Sequence, residues 1–362
     1  MRVIFFVTVL DSGGLENYLL RFLENTSQGF DKVFIWCKSG CDGQLDSDYL
    51  KLENVELVKQ EIRYFDFSSY RHLGEFIKKN KVDAVCDFSG NFSGRVMYTA
   101  KKSGVPKRIA SYRGSSDHFN RDPFRKIYNK FVRYLTRKYA TDILANSCAG
   151  FDYFFPKIWR SDKRFRVVYN GINPEKFLAE QGDLRYELSI PDKAYVIGHT
   201  GRFNSVKNHT TIIAVAKKIV SKYSDVYFIL CGNGVSVGLG QYLIDANLDH
   251  RVFVYENRSD IPKFLNTMDC YFFPSLSEGQ PNSLIEAMIM GLPYVASNIA
   301  PIRETVGDDA TLYQPTDIDG LTAALEQLYL NKVGRCLRQK QYMISRFSGQ
   351  KRFGEFYNIL KG

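Results

Sequence analysis

Glu278 and Glu286 stand eight positions apart, on either side of Gly279-Gln280-Pro281-Asn282-Ser283. An ionised carboxylate only accepts hydrogen bonds, so such a pair can grip hydroxyl groups. The residues between them read as a loop passing into a helix: Gly279 and Pro281 interrupt regular structure, and Asn282-Ser283 favour a helix start. Loop amides and a helix N-terminus hold anions or polar oxygens. Eight positions turn an ideal helix by a net of about 80°, so the two carboxylates share no helix face. Glu278 is expected in the loop and Glu286 in about the first turn. Helix capping is the ordinary role of a glutamate there; it would account for Glu286 and leave Glu278 unexplained.

Two cations form a second constellation. Arg202 and Lys207 lie in Gly201-Arg-Phe-Asn-Ser-Val-Lys-Asn-His209, directly after the apolar run 195–200. An arbitrary Arg/Lys pair is solvated surface charge. A pair just beyond a strand end can hold a diphosphate and offset the charge that builds as it leaves. Gly13-Gly14 follows the first apolar run and would let backbone amides approach a phosphate or sugar, or merely make a tight turn. Asp46-Ser-Asp48 and Asp317-Ile-Asp319 have the spacing of a metal-binding acidic pair, yet neither follows a nucleotide-binding strand, and no metal or cofactor is expected. Gly232-Asn-Gly-Val-Ser-Val-Gly238 follows an apolar run like a dinucleotide loop, but no acidic residue about 20 positions on is clearly placed at a strand end, which argues against a dehydrogenase.

The elements that must position these residues alternate. Runs 3–9, 33–37, 82–88, 108–111 and 143–146 are strand-like, with helix-like stretches at 15–23 and 70–80 between some of them. The rhythm breaks near Asn170-Gly171 and Pro174, then restarts with strand-like 195–200, 226–231, 252–255, 270–274 and 293–297, and helical 210–222, 283–290 and 321–328. This βα repetition predicts α/β architecture: two Rossmann-like domains with parallel sheets, facing a central cleft. The first covers about 1–170, the second 171–345.

At 362 residues, 44% hydrophobic and 24% charged, the composition is that of a globular protein of two ordinary domains. No apolar run is long enough to span a bilayer, and the N-terminal run lacks a cleavage site and reads as a buried strand. Seven cysteines without a C-x-x-C pair argue against an oxidised compartment, so a cytoplasmic location is expected. Residues 1–172 carry 29 Lys+Arg against 19 Asp+Glu, whereas 173–362 carry 20 of each. The first half should therefore face something anionic. No nucleic-acid-binding module is recognisable, so a nucleic-acid partner is not expected.

Taken together, Gly13-Gly14-Leu15-Glu16, Asn146-Ser147, Asn170-Gly171-Ile172, Gly201-Arg202 with Lys207-Asn208, Glu278-Gly279-Gln280-Pro281, Glu286-Ala287-Met288 and Gly291-Leu292-Pro293 resemble the retaining glycosyltransferases of family four, of the bacterial surface-polysaccharide type. The resemblance covers essentially the whole chain. It implies the GT-B fold, with a last helix (346–362) crossing back onto the first domain. It also implies metal-independent transfer of a sugar, such as a hexose from a UDP-sugar, to a glycan or lipid-pyrophosphate-linked acceptor. Glu278 would touch the donor sugar and Glu286 the ribose, Arg202 and Lys207 would hold the diphosphate, and amides around Gly279–Asn282 would cradle the sugar. Arg258 would lie near the nucleobase, and Gly13 and Gly14 would join the donor site.

The sequence departs from the family where relatives often carry two histidines in the first domain: Cys86-Asp87-Phe88 and Tyr112-Arg113-Gly114 stand there instead. Asp87, Ser89, Asn91, Arg113, Asp117 and His118 are the acceptor-side candidates. Because that departure could silence catalysis, a non-catalytic GT-B subunit that binds glycan or partners another transferase is the alternative. Residues 119–140 place Phe124, Ile127, Tyr128, Phe131, Tyr134 and Leu135 at helical spacing among seven Lys and Arg. Such a helix either packs on its own domain or lies peripherally on the anionic inner face of the cytoplasmic membrane.

Overall fold

The computed structural model describes residues 1–362 except 64–65, 116–122 and 180–181, and it leaves out the side chains of 123–126. The chain divides into two units, Met1–Gly171 with Gly349–Gly362, and Ile172–Ser348.

The first unit is built on seven parallel strands: β1 Arg2–Val7, β2 Lys32–Cys37, β3 Val55–Lys59, β4 Ala84–Asp87, β5 Lys107–Tyr112, β6 Asp142–Ala145 and β7 Phe165–Val167. Their spatial order is β3-β2-β1-β4-β5-β6-β7. Side chains alternate across a strand, and here both faces are covered. Val3, Phe5 and Val7 enter one core, while Ile4 and Phe6 enter the other. The first core is closed by the last helix, Gly349–Lys361, whose Phe353, Phe356, Ile359 and Leu360 pack with Tyr18, Phe22 and Phe30. Phe356 lies 4.8 Å from Phe22, ring centre to ring centre. Gly171 makes room for this helix, since a Cβ there would lie 2.9 Å from Gly349 Cα.

The second unit carries β8 Tyr195–Thr200, β9 Val226–Cys231, β10 Val252–Tyr255, β11 Cys270–Phe273 and β12 Tyr294–Ala296, in the parallel order β10-β9-β8-β11-β12. In both units the chain builds outward from a first strand in one direction, then returns to build in the other. The reversals fall between β1 and β4 and between β8 and β11. Open α/β sheets bind ligands beyond the carboxyl ends of their strands at this switch point. Four loops qualify: those after β1 and β4 in one unit, and after β8 and β11 in the other.

Alternation in the sequence missed two strands, β3 and β7. Both are sheet edges, short and only partly buried, so polar residues interrupt their apolar pattern. It also missed that the 232–238 segment turns into a helix, Val235–Asp245, despite its glycines. Residues 346–348 stay with the second unit, because the Leu337–Phe347 helix and its C-cap Ser348 precede Gly349–Lys361.

Candidate active site

In the second unit, Thr200 ends β8 and the chain turns at Gly201 into a loop whose tip is a single 3₁₀ turn, Ser205–Lys207. The Asn204 side chain accepts from the Lys207 amide at 3.1 Å and so sets the direction of the lysine. Asn208 sits in the left-handed region with φ 60°, and its side-chain Nδ2 donates to the carbonyls of Pro274 (3.0 Å) and Pro315 (2.8 Å). Leu276 N donates to Val206 O at 2.8 Å. The loops after β8 and β11 are thereby tied together on either side of the switch point.

That tie brings two of the sequence candidates into contact. Lys207 Nζ lies 2.7 Å from Glu278 Oε1, with the two side chains only 17% and 10% exposed. The ammonium also stands 5.0 Å from the centre of the Phe273 ring. Arg202, five residues earlier, is exposed at the same loop. Gly279, Gln280 and Pro281 are buried. Asn282 N donates to Gln280 O at 2.9 Å, which commits one amide of that stretch internally. The helix begins at Asn282 with Pro281 as an N-cap that offers no side-chain bond, and Ser283 is its second residue. Glu286 is its fifth residue, 8% exposed. It therefore sits just past the first turn, beyond the reach of a capping box. It lies instead near Tyr271, whose hydroxyl meets Thr200 Oγ1 at 2.8 Å and whose burial pushes its pKa up.

Beneath the cationic loop lie two imidazoles that sequence patterning did not single out. His199 is fully buried, and its Nδ1 lies 2.9 Å from the Phe272 carbonyl, an acceptor, so Nδ1 carries the proton. His209 is 3% exposed and stands 5.4 Å away, ring centre to ring centre. Burial drives both pKa values down, His199 well below its ordinary value with His209 adding to the effect, and His209 to about 4 with Lys207 adding. Both are neutral at pH 7. Their signal in the sequence was each one's place at the end of an apolar run or the start of a helix.

Other candidates are engaged elsewhere. The Arg258 guanidinium is gripped by Asp260 through two bonds of 2.8 Å and by Glu187 at 2.9 Å, and these carboxylates raise its pKa. The glycine segment after β9 receives a carboxylate of this chain: Glu256 accepts from Gly234 N at 2.7 Å and Ser236 N at 3.0 Å. Those bonds lower the Glu256 pKa, the Ser236 hydroxyl contributing most. Glu256 follows β10 directly, so an acidic residue does stand at that strand end, and it caps a helix. Of the acidic pairs, Asp317 caps Ile318–Leu330 and Asp319 pairs with Lys218, while Asp48 pairs with Lys51 and Asp46 with Lys59. Among the described residues, no group of three or more His, Cys, Asp or Glu is placed to hold a metal ion.

In the first unit, Gly13 precedes the helix Gly14–Thr26 without a side-chain cap, and a Cβ on Gly14 would meet nothing within 4 Å. Packing therefore does not require that glycine. Asp87 is fully buried at the end of β4 and is held by Lys38 Nζ at 2.6 Å and by Ser89. Asn91 accepts from Tyr112 Oη at 3.1 Å and Arg133 Nε at 3.3 Å. Arg113 follows β5 and stacks between Tyr18 and Phe88, its carbon centre 4.1 and 4.8 Å from the two ring centres. Asp117 and His118 lie outside the described residues.

The comparisons with known proteins meet this geometry over nearly the whole chain. Residues 12–176 match the family described as Glycosyltransferase Family 4, and residues 180–346 match Glycosyl transferases group 1. The chain belongs to this glycosyltransferase family. It is 27% identical over 289 residues to the UDP-Gal:alpha-D-GlcNAc-diphosphoundecaprenol alpha-1,3-galactosyltransferase of Escherichia coli, covering 77% of this chain and 73% of that protein. It is 23% identical over 308 residues to the capsular polysaccharide biosynthesis glycosyltransferase CapH of Staphylococcus aureus, covering 83% and 82%. Among solved structures, Anabaena Alr3699/HepE in complex with UDP and glucose matches with a TM-score of 0.80 at 18% identity, over 100% of each chain. That likeness carries the fold, GT-B, and this glycosyltransferase places its Lys207–Glu278 pair at the switch point of the second sheet.

Proposed function

We propose that this glycosyltransferase moves a sugar from a nucleotide-sugar donor, such as a UDP-hexose, to a glycan or lipid-pyrophosphate-linked acceptor in surface polysaccharide assembly. The observation that carries the reading is the Lys207–Glu278 pair, a cation and a carboxylate 2.7 Å apart in a mostly buried setting. A nucleotide sugar offers each a better partner: a phosphate oxygen for Lys207 and sugar hydroxyls for Glu278. Glu286, just past the first turn of the next helix, accepts from a ribose diol in this reading. Arg202 and Lys207 offset the charge that grows on the departing diphosphate, so the bond to the sugar can break without a protein nucleophile or a metal. Substitution on the face the diphosphate leaves gives retention. The E. coli relative is named for a UDP-sugar and a diphosphoundecaprenol acceptor, and HepE was solved with UDP, which supports the substrate classes.

The reading predicts that one of the UDP-, GDP-, ADP- and TDP-sugars stabilises the chain by about 2.7 kcal/mol at 100 times its dissociation constant. Glu278→Ala and Arg202→Ala should abolish transfer and donor hydrolysis. Donor binding with no turnover in the native chain would instead make it the silent, glycan-binding subunit.

A second observation favours work at a cytoplasmic membrane face. On the helix Pro123–Tyr139, Val132 and Thr136 point inward, whereas Ile127, Phe131 and Tyr134 are 68%, 50% and 53% exposed beside Lys130, Arg137 and Lys138. The apolar residues thus share the outer surface with the charges, an arrangement suited to an anionic bilayer. Among the described residues no helix is long and apolar enough to cross a membrane.

A further inference from the structure

Arg113, Asn146 and Asn170 follow β5, β6 and β7, three strands that lie side by side. Tyr112 stands opposite Ala145 in the register, and Asn146 N donates to Tyr112 O at 3.3 Å. Arg113 and Asn146 are therefore next-door neighbours across one strand spacing, about 5 Å. The Arg113 guanidinium is fixed on every side. Tyr18 and Phe88 cover its faces, Nε donates to Ser111 Oγ at 3.1 Å, and Nη1 donates to Asn170 Oδ1. All of these partners are neutral. Several other cations of this unit have carboxylates: Lys38 has Asp87, Lys107 and Arg166 share Asp142, and Arg164 has Asp162; Arg108 and Arg133 are instead met by carbonyl and amide oxygens. Among the described residues Arg113 has no carboxylate.

Beside it, Asn146 is 4% exposed and its Oδ1 receives no hydrogen bond. A buried acceptor without a donor is costly, as is a held cation without an anion. A ligand with an oxyanion and a hydroxyl a few ångströms apart answers both. A sugar phosphate has that chemistry.

We propose that Arg113 and Asn146 form a glycosyl-phosphate seat for the acceptor, with a phosphate oxygen on the guanidinium and a sugar hydroxyl donating to Asn146 Oδ1. Asn170 is a positioning residue that aims the guanidinium. The proposal rests on the transferase reading only in assigning the ligand to the acceptor.

The test uses the full chain carrying Arg202→Ala and Lys207→Ala, so that phosphate binding in the second unit is weakened, and calorimetric titration with glucose 1-phosphate, inorganic phosphate and glucose. Glucose 1-phosphate should bind more tightly than either part. Adding Arg113→Gln should weaken it at least tenfold. Adding Asn146→Leu should weaken glucose 1-phosphate severalfold and leave inorganic phosphate unchanged. Absence of glucose 1-phosphate binding, or equal affinity with Arg113→Gln, overturns the proposal. If melting curves show that Arg113→Gln does not fold, Arg113→Lys and Asn146→Leu decide the matter by the same criterion. A separate arm melts Arg113→Gln, with Arg202 and Lys207 intact, in the presence of nucleotide sugars. Loss of donor stabilisation there would give the seat to the donor and end this proposal, with the transferase reading standing. No donor stabilisation in the native chain, alongside Arg113-dependent glucose 1-phosphate binding, would sink the transferase reading and leave the seat.

Discussion

Lys207 reaches Glu278 from a loop that rests on two uncharged imidazoles, and that choice of residues couples the site to pH. His209 titrates at about 4 in the folded chain and near 6.5 once unfolded. The folded value is the depressed one, so on acidification the unfolded chain takes up the proton first. The contribution to stability is whole above about pH 6.5 and is lost as the pH falls toward the folded value, an effect on the order of 3 kcal/mol. His199 shifts in the same direction. His209→Gln should therefore flatten the acid limb: urea melts at pH 7 and 4.5 should show a smaller loss in the variant than in the native chain. Identical losses would rule out this linkage. Sequence reading named Lys207 and Glu278 from their loops but could not show them in contact, because 71 residues separate them and only the β8–β11 pairing brings their loops together.

Among the elements, the last helix closes one core of the first unit. Phe353 and Phe356 are each 1% exposed and insert among Tyr18, Phe22 and Phe5. Truncating a buried phenylalanine costs roughly 3–5 kcal/mol, because the aromatic contacts vanish and the hole closes only in part. Phe356→Ala should shift the urea transition of the first unit to lower denaturant and leave that of the second in place. An unmoved first transition would mean the helix is dispensable. The same helix runs out of register with a sequence-drawn boundary at 346, since Ser348 separates two helices that the composition does not distinguish. Strands buried on both faces, such as Arg2–Val7 and Tyr195–Thr200, stood out as apolar runs, whereas the edge strands Val55–Lys59 and Phe165–Val167 did not. An edge keeps one side in water, and its polar residues break the pattern.

Across the whole molecule charge is uneven, with the excess of Lys+Arg confined to residues 1–172. The outward row Ile127, Phe131 and Tyr134 lies in that half, flanked by Lys130, Arg137 and Lys138. The chain should sediment with vesicles containing anionic lipid at low salt and be released as ionic strength shortens the Debye length from about 10 Å at 0.1 M to about 3 Å at 1 M. Phe131→Ser should lower the bound fraction severalfold at constant charge. Equal recovery on neutral and anionic vesicles would remove the membrane from the account.

The sequence by itself determined the class of the protein: two βα-repeating halves, a paired-carboxylate motif at Glu278 and Glu286, and a cationic loop at Arg202 and Lys207. Each of these is local, a matter of periodicity or of a few residues within one turn, which is why it could be read along the chain. Tertiary structure alone decided which candidates are already engaged. Arg258 is held by Glu187 from 71 residues away, and Asp87 by Lys38 across two strands. Glu286 falls just past the first turn of the helix that starts at Asn282, and its burial was not visible along the chain. Arg113 and Asn146 became neighbours only through strand register, since a parallel sheet sets side by side residues that a whole helix separates in sequence.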